Sequence, residues 1–346
     1  MRMNRISNQR CARSVLLAAL VALLPIRAHA EPDWALVRLS FSSGWDALPA
    51  LVAIERGFFV GQKLTVSGLS LESGEAVIKS LATGSTDFAS VPQRTLLVMA
   101  AAKAPVKVVA LSGYGTRTEI VVAKDSPVTK VADLKGKVIA VGMGAEAFPA
   151  LIRLLNASQL KPKDVTIRSL DGADLTEVFR SKRADAACAS AHFTDRMVVD
   201  GQARVLVSNE EIVKTIGLIG AAPLVASAKL VQDSPDVVQR FVSAWLDGLR
   251  YIERDPDDSA RILQIFFHRQ GVVVPIAQAR SWVGMTRFDR IAWTADDVAD
   301  ADFNAWGLEE GGILKVRPKL AELQAMVDNR FAERALERVQ APAQTE

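Results

Sequence analysis

The sequence predicts an α/β fold of two lobes, each a mainly parallel sheet flanked by helices. Three observations carry this. Short apolar runs alternate with helical patterns over the first two thirds of the chain, which is the signature of βα units. The alternation restarts near residue 117, so a second set of strands can bury its own core. One unit also occurs twice: "LATGSTDFASVPQ" (Leu81 to Gln93) and "FRSKRADAACASAHF" (Phe179 to Phe193) each end a helix, turn, place an Asp before a buried strand of small residues, and open into a polar or aromatic loop.

In the first lobe "VRLSFSS" (37 to 43), "LTVSGLSL" (64 to 71), "FASV" (88 to 91) and "VKVVALS" (106 to 112) read as strands. They are β-branched or aliphatic runs bounded by Gly, Ser and Asp. "DALPALVAIERGFF", "GEAVIKSLATG" and "PQRTLLVMAAAK" between them carry a helical period. In the second lobe the strands are "TEIVVAK" (118 to 124), "KVIAVG" (137 to 142), "VTIRSL" (165 to 170), "DAACAS" (185 to 190) and "RVLVS" (204 to 208), with helices around 145 to 159, 173 to 182 and 192 to 201. After "GLIGAAPLVAS" (217 to 227) the chain reads as helical to its end, in "SPDVVQRFVSAWLDGLRYIERD", "PDDSARILQIFFHRQG" and "KLAELQAMVDNRFAERALERV", before a tail expected to be disordered. Asp87 and Asp185 stand just before their strands, at the end away from a strand-end cleft, and are expected to form turns and caps.

Residues 1–30 read as a secretory signal. Arg2, Arg5, Arg10 and Arg13 form a basic segment, "SVLLAALVALL" is an apolar run too short to span a bilayer, and Ala28-His29-Ala30 is a small-residue cleavage site. Cys11 precedes the apolar run, which argues against a lipoprotein. Without this segment the chain carries 37 basic against 39 acidic residues, a formal charge of −2, so the basic character of the whole sequence belongs to the signal and a nucleic-acid partner loses its support. Cys188 is then the only cysteine, so no internal disulfide forms and the core alone must hold the fold. The remaining 316 residues are enough for about two domains.

Several segments resemble the periplasmic binding proteins of ABC importers for sulfonates, taurine and nitrate. These are "AIERGFFVGQKLTV", "ESGEAVIKSLATGSTDFASV" with its Ser-Gly loop, whose Ser73 is expected to face the ligand, "SPVTKVADLKGKVIAVGMG", and "LVASAKLVQDSPDVVQRFVSAWLDGLRYIERDPDDSARIL". They follow the family's order over roughly residues 36 to 265. The resemblance implies a type II periplasmic binding protein fold in which residues 31–116 and 222–338 form a discontinuous first lobe and 117–221 the second, leaving 339–346 as the tail. It implies crossings near Gly115 to Thr118 and Ile216 to Pro223, a hinge closing on a small molecule, and delivery of the closed form to the transmembrane subunits of a permease. The chain is expected to act in the periplasm as a monomer, without cofactor or metal.

Ligands of open α/β sheets bind outside the carboxyl ends of strands, which directs attention to particular loops. "SSGWDALPA" (42 to 50) puts the hydroxyls of Ser42 and Ser43 and the indole of Trp45 after the first strand, where capping explains the polar residues about as well as ligand binding does. "VPQR" contributes Gln93 and Arg94 to one wall, and His192 and Phe193 stand on the other, where the family often has an aromatic-acidic-Pro stretch. Arg94 and Arg117 are the cationic candidates, because a guanidinium meets a sulfonate or carboxylate with two parallel hydrogen bonds; solvated surface positions are the common alternative. Tyr114 adds an aromatic face beside the first crossing, and Glu146 and Asp171 could answer an amine or hydroxyl on the same ligand.

"GMGAEA" (142 to 147), with Gly144, Ala145 and Glu146, fits G-x-G-x-x-A between a strand and a helix. A dinucleotide site, a plain tight turn and a ligand loop are all compatible with it, although export argues against the first. Free N–H groups at a helix start favour an anion in every case. His192 reads as a packing or hydrogen-bonding residue because only His268 remains outside the signal, and Cys188 reads as a small buried hydrophobe. No G-x-S-x-G, H-E-x-x-H, paired-Cys or P-loop pattern is present, and "SQLK" (158 to 161) lacks the motifs that would accompany a catalytic S-x-x-K. A non-enzymatic solute-binding protein for a small organic anion is therefore expected. An exported sensory or scaffolding protein and an enzyme on the same fold are the alternatives.

Overall fold

The computed structural model describes residues 33–42, 47–71, 73–142, 147–170, 172–217, 220–310 and 312–340, with backbone only for Ser42, Gly172, Ala173 and His192. Two five-stranded sheets organise it. The first contains β1 (Ala35–Ser42), β2 (Leu64–Leu71), β3 (Phe88–Ser90), β4 (Val106–Tyr114) and β10 (Ala221–Ser227), in the order β2-β1-β3-β10-β4. The second contains β5 (Thr118–Ala123), β6 (Val138–Gly142), β7 (Thr166–Leu170), β8 (Ala186–Ser190) and β9 (Ala203–Val207), in the order β7-β6-β8-β5-β9.

The two orders are the same pattern, and each sheet has one reversed strand in its fourth place. β10 runs antiparallel to both β3 and β4, and β5 antiparallel to both β8 and β9. These are the strands that arrive directly from the other sheet. A chain that leaves one sheet at the carboxyl ends of its parallel strands, and enters the next at the same edge, must run backwards through it.

The recurring Asp has a role other than the expected turn or cap. Asp87 Oδ2 accepts the Arg38 backbone N–H at 2.8 Å while the Asp87 N–H donates to the Arg38 carbonyl at 2.8 Å, and the Arg38 guanidinium pairs with the same carboxylate. In the second sheet Asp185 Oδ2 accepts the Val138 N–H at 2.8 Å, the Asp185 N–H donates to the Val138 carbonyl, and Lys137 stands 3.7 Å away. Each Asp extends the pairing of a short inner strand by one step and clamps it to its neighbour. This satisfies a strand N–H that would otherwise lack a partner.

Helices cover both faces of each sheet. On the first sheet, α1 (Leu48–Glu55), α2 (Phe58–Gly61), α10 (Pro235–Arg254), α11 (Pro256–Arg269), α12 (Ile276–Gly284) and α15 (Arg330–Gln340) enclose one core, and α3 (Gly74–Ala82), α4 (Gln93–Ala101), α13 (Ala295–Glu310) and α14 (Leu320–Met326) the other. On the second, α5 (Ala147–Ala157) and α8 (Asn209–Ile216) cover one face, and α6 (Gly172–Thr176) and α7 (Ala191–Val199) the other. The short α9 (Ala228–Asp233) leads from β10 into α10. α10 buries Val238, Phe241, Val242, Trp245, Leu249 and Ile252 on one stripe at helical spacing. Its Phe241 stacks on Phe88 with centroids 3.9 Å apart, and Trp245 Nε1 donates to the Leu111 carbonyl at 3.0 Å.

Three helical expectations change. The run ending in Gly-Phe-Phe is interrupted at Arg56–Gly57 and yields α1 and α2. The helix expected over 173 to 182 stops at Thr176, and turns follow. The C-terminal run breaks between α14 and α15 because Val327 pairs with Val108 and the Asp328 N–H donates to the Val108 carbonyl at 2.8 Å, covering the edge of β4. Covering an open edge offsets the loss of a few helical bonds. α15 continues through Gln340, and the rest of the tail, like residues 1–32, lies outside the described residues. From Trp34 onward the chain packs as one unit, so the contacts between its two sheets below are contacts within one body.

Candidate functional site

Both crossings run between the carboxyl ends of the parallel strands. The first, residues 115–117, leaves the end of β4 and enters β5 at Thr118, which pairs with Ser190 at the end of β8. The second ends at Ala221, which pairs with Tyr114 at the end of β4. The carboxyl edges of β1, β3 and β4 and of β6, β7 and β8 therefore converge on the same two links, where open α/β sheets bind ligands. Asn209, the first residue of α8, ties the first crossing to the second sheet through the Thr116 carbonyl at 2.5 Å.

Within that junction the structure joins two groups of the expected site residues. Ser73 caps α3 by accepting the Ala76 N–H at 3.2 Å. Beside it, a Cβ on Gly74 would lie 2.6 Å from Thr95 Oγ1, so the Ser-Gly loop sits directly against the first turn of α4, which carries Gln93 and Arg94. Any larger residue at this position would force the Thr95 side chain to shift. Arg117 and Phe193 form the second group: the Ala191 N–H donates to the Arg117 carbonyl at 2.7 Å, which brings the start of α7 to the first crossing. Arg117 and Arg94 are half-buried, and Arg117 Nη1 donates to Thr286 Oγ1 at 3.1 Å.

Other expected residues are otherwise engaged. Gln93 is buried, its Oε1 accepts from Asn304 Nδ2, and its Nε2 lies 3.5 Å from Asp300 Oδ2. Tyr114 donates its hydroxyl to Asp289 at 2.7 Å and has the Arg290 guanidinium over its ring at 4.0 Å. Burial, followed by the Asp289 bond, pushes its phenol pKa above the ordinary value. Phe193 is half-buried and packs against the core on one face of the second sheet. Ser43, Trp45, Gly144, Ala145, Glu146 and Asp171 lie outside the described residues, as do the side chains of Ser42 and His192.

The C-terminal helices add groups that the sequence did not single out, on two flanks of the junction. From α7, Asp195 Oδ2 accepts from Gln278 Nε2 at 2.5 Å and Trp282 Nε1 at 3.2 Å of α12. From α5, Arg153 Nη2 donates to Asp300 Oδ1 of α13 at 2.7 Å. A signal for α13 was available: "TADD" is a capping box, in which Thr294 Oγ1 accepts the Asp297 N–H at 3.2 Å and Asp297 Oδ2 accepts the Thr294 N–H at 2.7 Å. Beside the second crossing lies a cavity of about 270 Å³, lined by Tyr114, Gly220, Ala221, Arg290, Thr294, Asp296, Asp297 and Asp300. Asp297 is engaged by Arg290 and Asp300 by Arg153, and among the described residues no cluster of three His, Cys, Asp or Glu side chains could hold a metal ion. Larger hollows of about 690 and 540 Å³ lie elsewhere, around Leu154 and Lys214 and around Leu246 and Arg250.

Glu119 of β5 is buried and accepts from Thr194 Oγ1 at 2.6 Å. Burial raises its pKa, the Thr194 bond partly opposes this, and neighbouring Asp195 adds to the rise; burial also raises Asp195 against its Trp282 and Gln278 bonds. A carboxyl whose folded pKa exceeds its unfolded value binds protons first in the native state, so its contribution to stability grows as pH falls from neutral towards the unfolded value of about 4.3. Glu119→Gln keeps an acceptor for Thr194 and removes the buried charge. The variant is expected to melt higher than the parent at pH 7, with the difference shrinking towards pH 5 in melting curves; parallel curves would refute this reading of Glu119.

The E. coli (strain K12) taurine-binding periplasmic protein is 27% identical over 250 residues, 71% of this chain and 74% of that one. Among solved structures, the periplasmic aliphatic sulphonate binding protein SsuA from E. coli superposes with a TM-score of 0.68 at 19% identity, covering 84% of this chain and 91% of that one. The desulfurization enzyme DSZB shares the fold as well, with a TM-score of 0.64 at 18% identity over 89% of this chain and all of that one. The model of the NMT1/THI5 like family matches residues 45–259, which include nine of the ten strands and both crossings, and the chain belongs to that family.

Proposed function

We propose that the chain is an exported solute-binding protein that takes up a small organic anion of the sulfonate class between its two sheets and delivers it to the transmembrane subunits of an ABC permease. The observation that carries this reading is the convergence of strand carboxyl ends on two short crossings, with Arg117 in one of them and the Ser73–Arg94 wall on the same edge. Similarity to taurine- and sulphonate-binding proteins supports the ligand class. In this reading a signal peptide ends at Ala30, residues 31–116 and 222–338 form the first lobe, 117–221 form the second, and the lobes hinge about the crossings as a monomer in the periplasm.

Catalysis has a precedent on the fold, but Cys188 is not available as a nucleophile. It is fully buried in β8, its Sγ donates to the Ala147 carbonyl at 3.3 Å, and burial drives the thiol pKa far above its ordinary value. The thiolate is the reactive form. Binding without turnover is therefore proposed.

A thermal-shift screen of the mature chain against taurine, linear alkanesulfonates, nitrate and uncharged analogues tests the proposal. A true ligand at about 100 times its dissociation constant adds roughly 2.7 kcal/mol to stability. A sulfonate is expected to give the largest upward shift and to be recovered unchanged. A screen in which only uncharged compounds shift the melting temperature, or in which the bound compound is converted, refutes it.

A further inference from the structure

One carboxylate connects helices of both sheets and the second crossing. Asp300, on α13, accepts from Arg153 of α5 through Oδ1 at 2.7 Å, and through Oδ2 from the Gly220 backbone N–H at 3.0 Å and Asn304 Nδ2 at 3.1 Å, with Gln93 Nε2 at 3.5 Å. Gly220 belongs to the second crossing, Gln93 opens α4 on the first sheet, and Arg153 lies in a helix that covers the second sheet. The pair is largely withdrawn from water, the Arg153 and Asp300 side chains being 21% and 15% exposed. Arg153 is held in place from above, its guanidinium lying 4.3 Å over the ring of Phe303. α13 follows residue 259, so this connection comes from chain beyond the matched family region.

We infer that Asp300 is a positioning residue for ligand affinity: its pair with Arg153 holds the two sheets in the ligand-competent arrangement, while its bond to Gly220 fixes the crossing about which they would turn. The inference rests on the proposed binding function. Rotation of the second sheet away from the first moves α5 relative to α13 and must part Arg153 from Asp300. A group that stabilises the closed arrangement raises the competent fraction and therefore the apparent affinity of any ligand by one common factor. Neither residue needs to touch the ligand. A residue that contacts the apolar body of the ligand behaves differently, because its loss grows along a homologous series, and one that contacts only the shared head group leaves the ligand-free radius of gyration unchanged.

The test uses calorimetric titration with ethane-, butane- and hexanesulfonate, and small-angle scattering of the ligand-free protein. Arg153→Ala is expected to weaken all three sulfonates by the same factor, about tenfold, equivalent to about 1.4 kcal/mol, and to enlarge the ligand-free radius of gyration. Arg153→Lys is expected to recover most of the affinity. Asp300→Asn retains an acceptor for Gly220 but loses the ion pair, so adding Arg153→Ala to it is expected to change nothing further. Affinity within twofold of the parent for Arg153→Ala, a factor that varies with chain length, or additive effects of the two substitutions overturns the inference. If no sulfonate binds the parent, the ligand reading fails separately, and scattering decides the rest: an Arg153→Ala profile identical to the parent's overturns the role of Asp300.

Discussion

Trp245→Ala is expected to destabilise the chain by about 4 kcal/mol, the range for deleting a large buried aromatic side chain. Trp245 is fully buried, faces Phe241 at 6.0 Å between centroids, and through it the stack on Phe88 of β3. Its indole N–H donates to the Leu111 carbonyl of β4, so one side chain anchors α10 to the centre and the edge of the first sheet. Truncation removes the transfer energy, leaves a cavity that α10 cannot collapse into without parting from α1, and takes away the bond to Leu111. The shift is roughly 2 to 4 °C per kcal/mol for chains somewhat smaller than this one and smaller still for a longer chain, so the melting temperature should fall by about 6 °C. Trp245→Phe, which keeps most of the volume, should cost about half as much or less. A fall below about 1 kcal/mol in urea denaturation would show that α10 does not hold the first sheet in this way.

Strands were the most legible part of the fold, because each is an apolar run bounded by Gly, Ser or Asp. β2 spans Leu64–Leu71, the residues its run indicates, and the other eight strands read from the sequence deviate by one or two positions at their ends, whereas β10 lies within 217–227, a stretch to which no strand was assigned. Two helices were legible but unread. α8 opens within "SNEE", where Ser208 and Glu211 form a reciprocal cap, and α13 opens within "TADD". Polar signals outside the apolar pattern mark both. The roles of Asp87 and Asp185 could not be read in the same way, since their partners Arg38 and Val138 lie 49 and 47 residues away and a local pattern does not name a distant backbone N–H.

The site was legible as loops rather than as contacts. Strand-end position brings Ser73 to the turn that carries Gln93 and Arg94, and Arg117 to the start of α7. Position along the chain says nothing about whether a side chain is already engaged. Gln93 turns into the wall to meet Asn304, and Tyr114 is covered by Arg290, because residues near 290 and 304 fold back over the junction from the far end of the sequence. The same long return explains why Arg153, Asp195 and Asp300 carried no visible signal: each is an ordinary charged residue on a helix until its partner arrives.

Arg117→Ala is expected to weaken a sulfonate by about 30- to 150-fold, because hydrogen bonds to a charged group contribute about 2 to 3 kcal/mol. Arg117 stands in the first crossing, half-buried, oriented by Thr286 and bonded through its carbonyl to the start of α7. An anion drawn into the junction needs such a partner, since a withdrawn charge without one is costly. Trp45→Ala should act on the other end of the ligand, with a loss that grows along a homologous series. The central claim, capture of a small organic anion between the two sheets, is tested most directly by calorimetric titration of ethane-, butane- and hexanesulfonate into the mature parent and the Arg117→Ala variant. Saturable one-to-one binding to the parent, with all three ligands weakened at least about 30-fold by the substitution, is the predicted result; equal affinities for parent and variant, or no binding of any sulfonate to the parent, would contradict it.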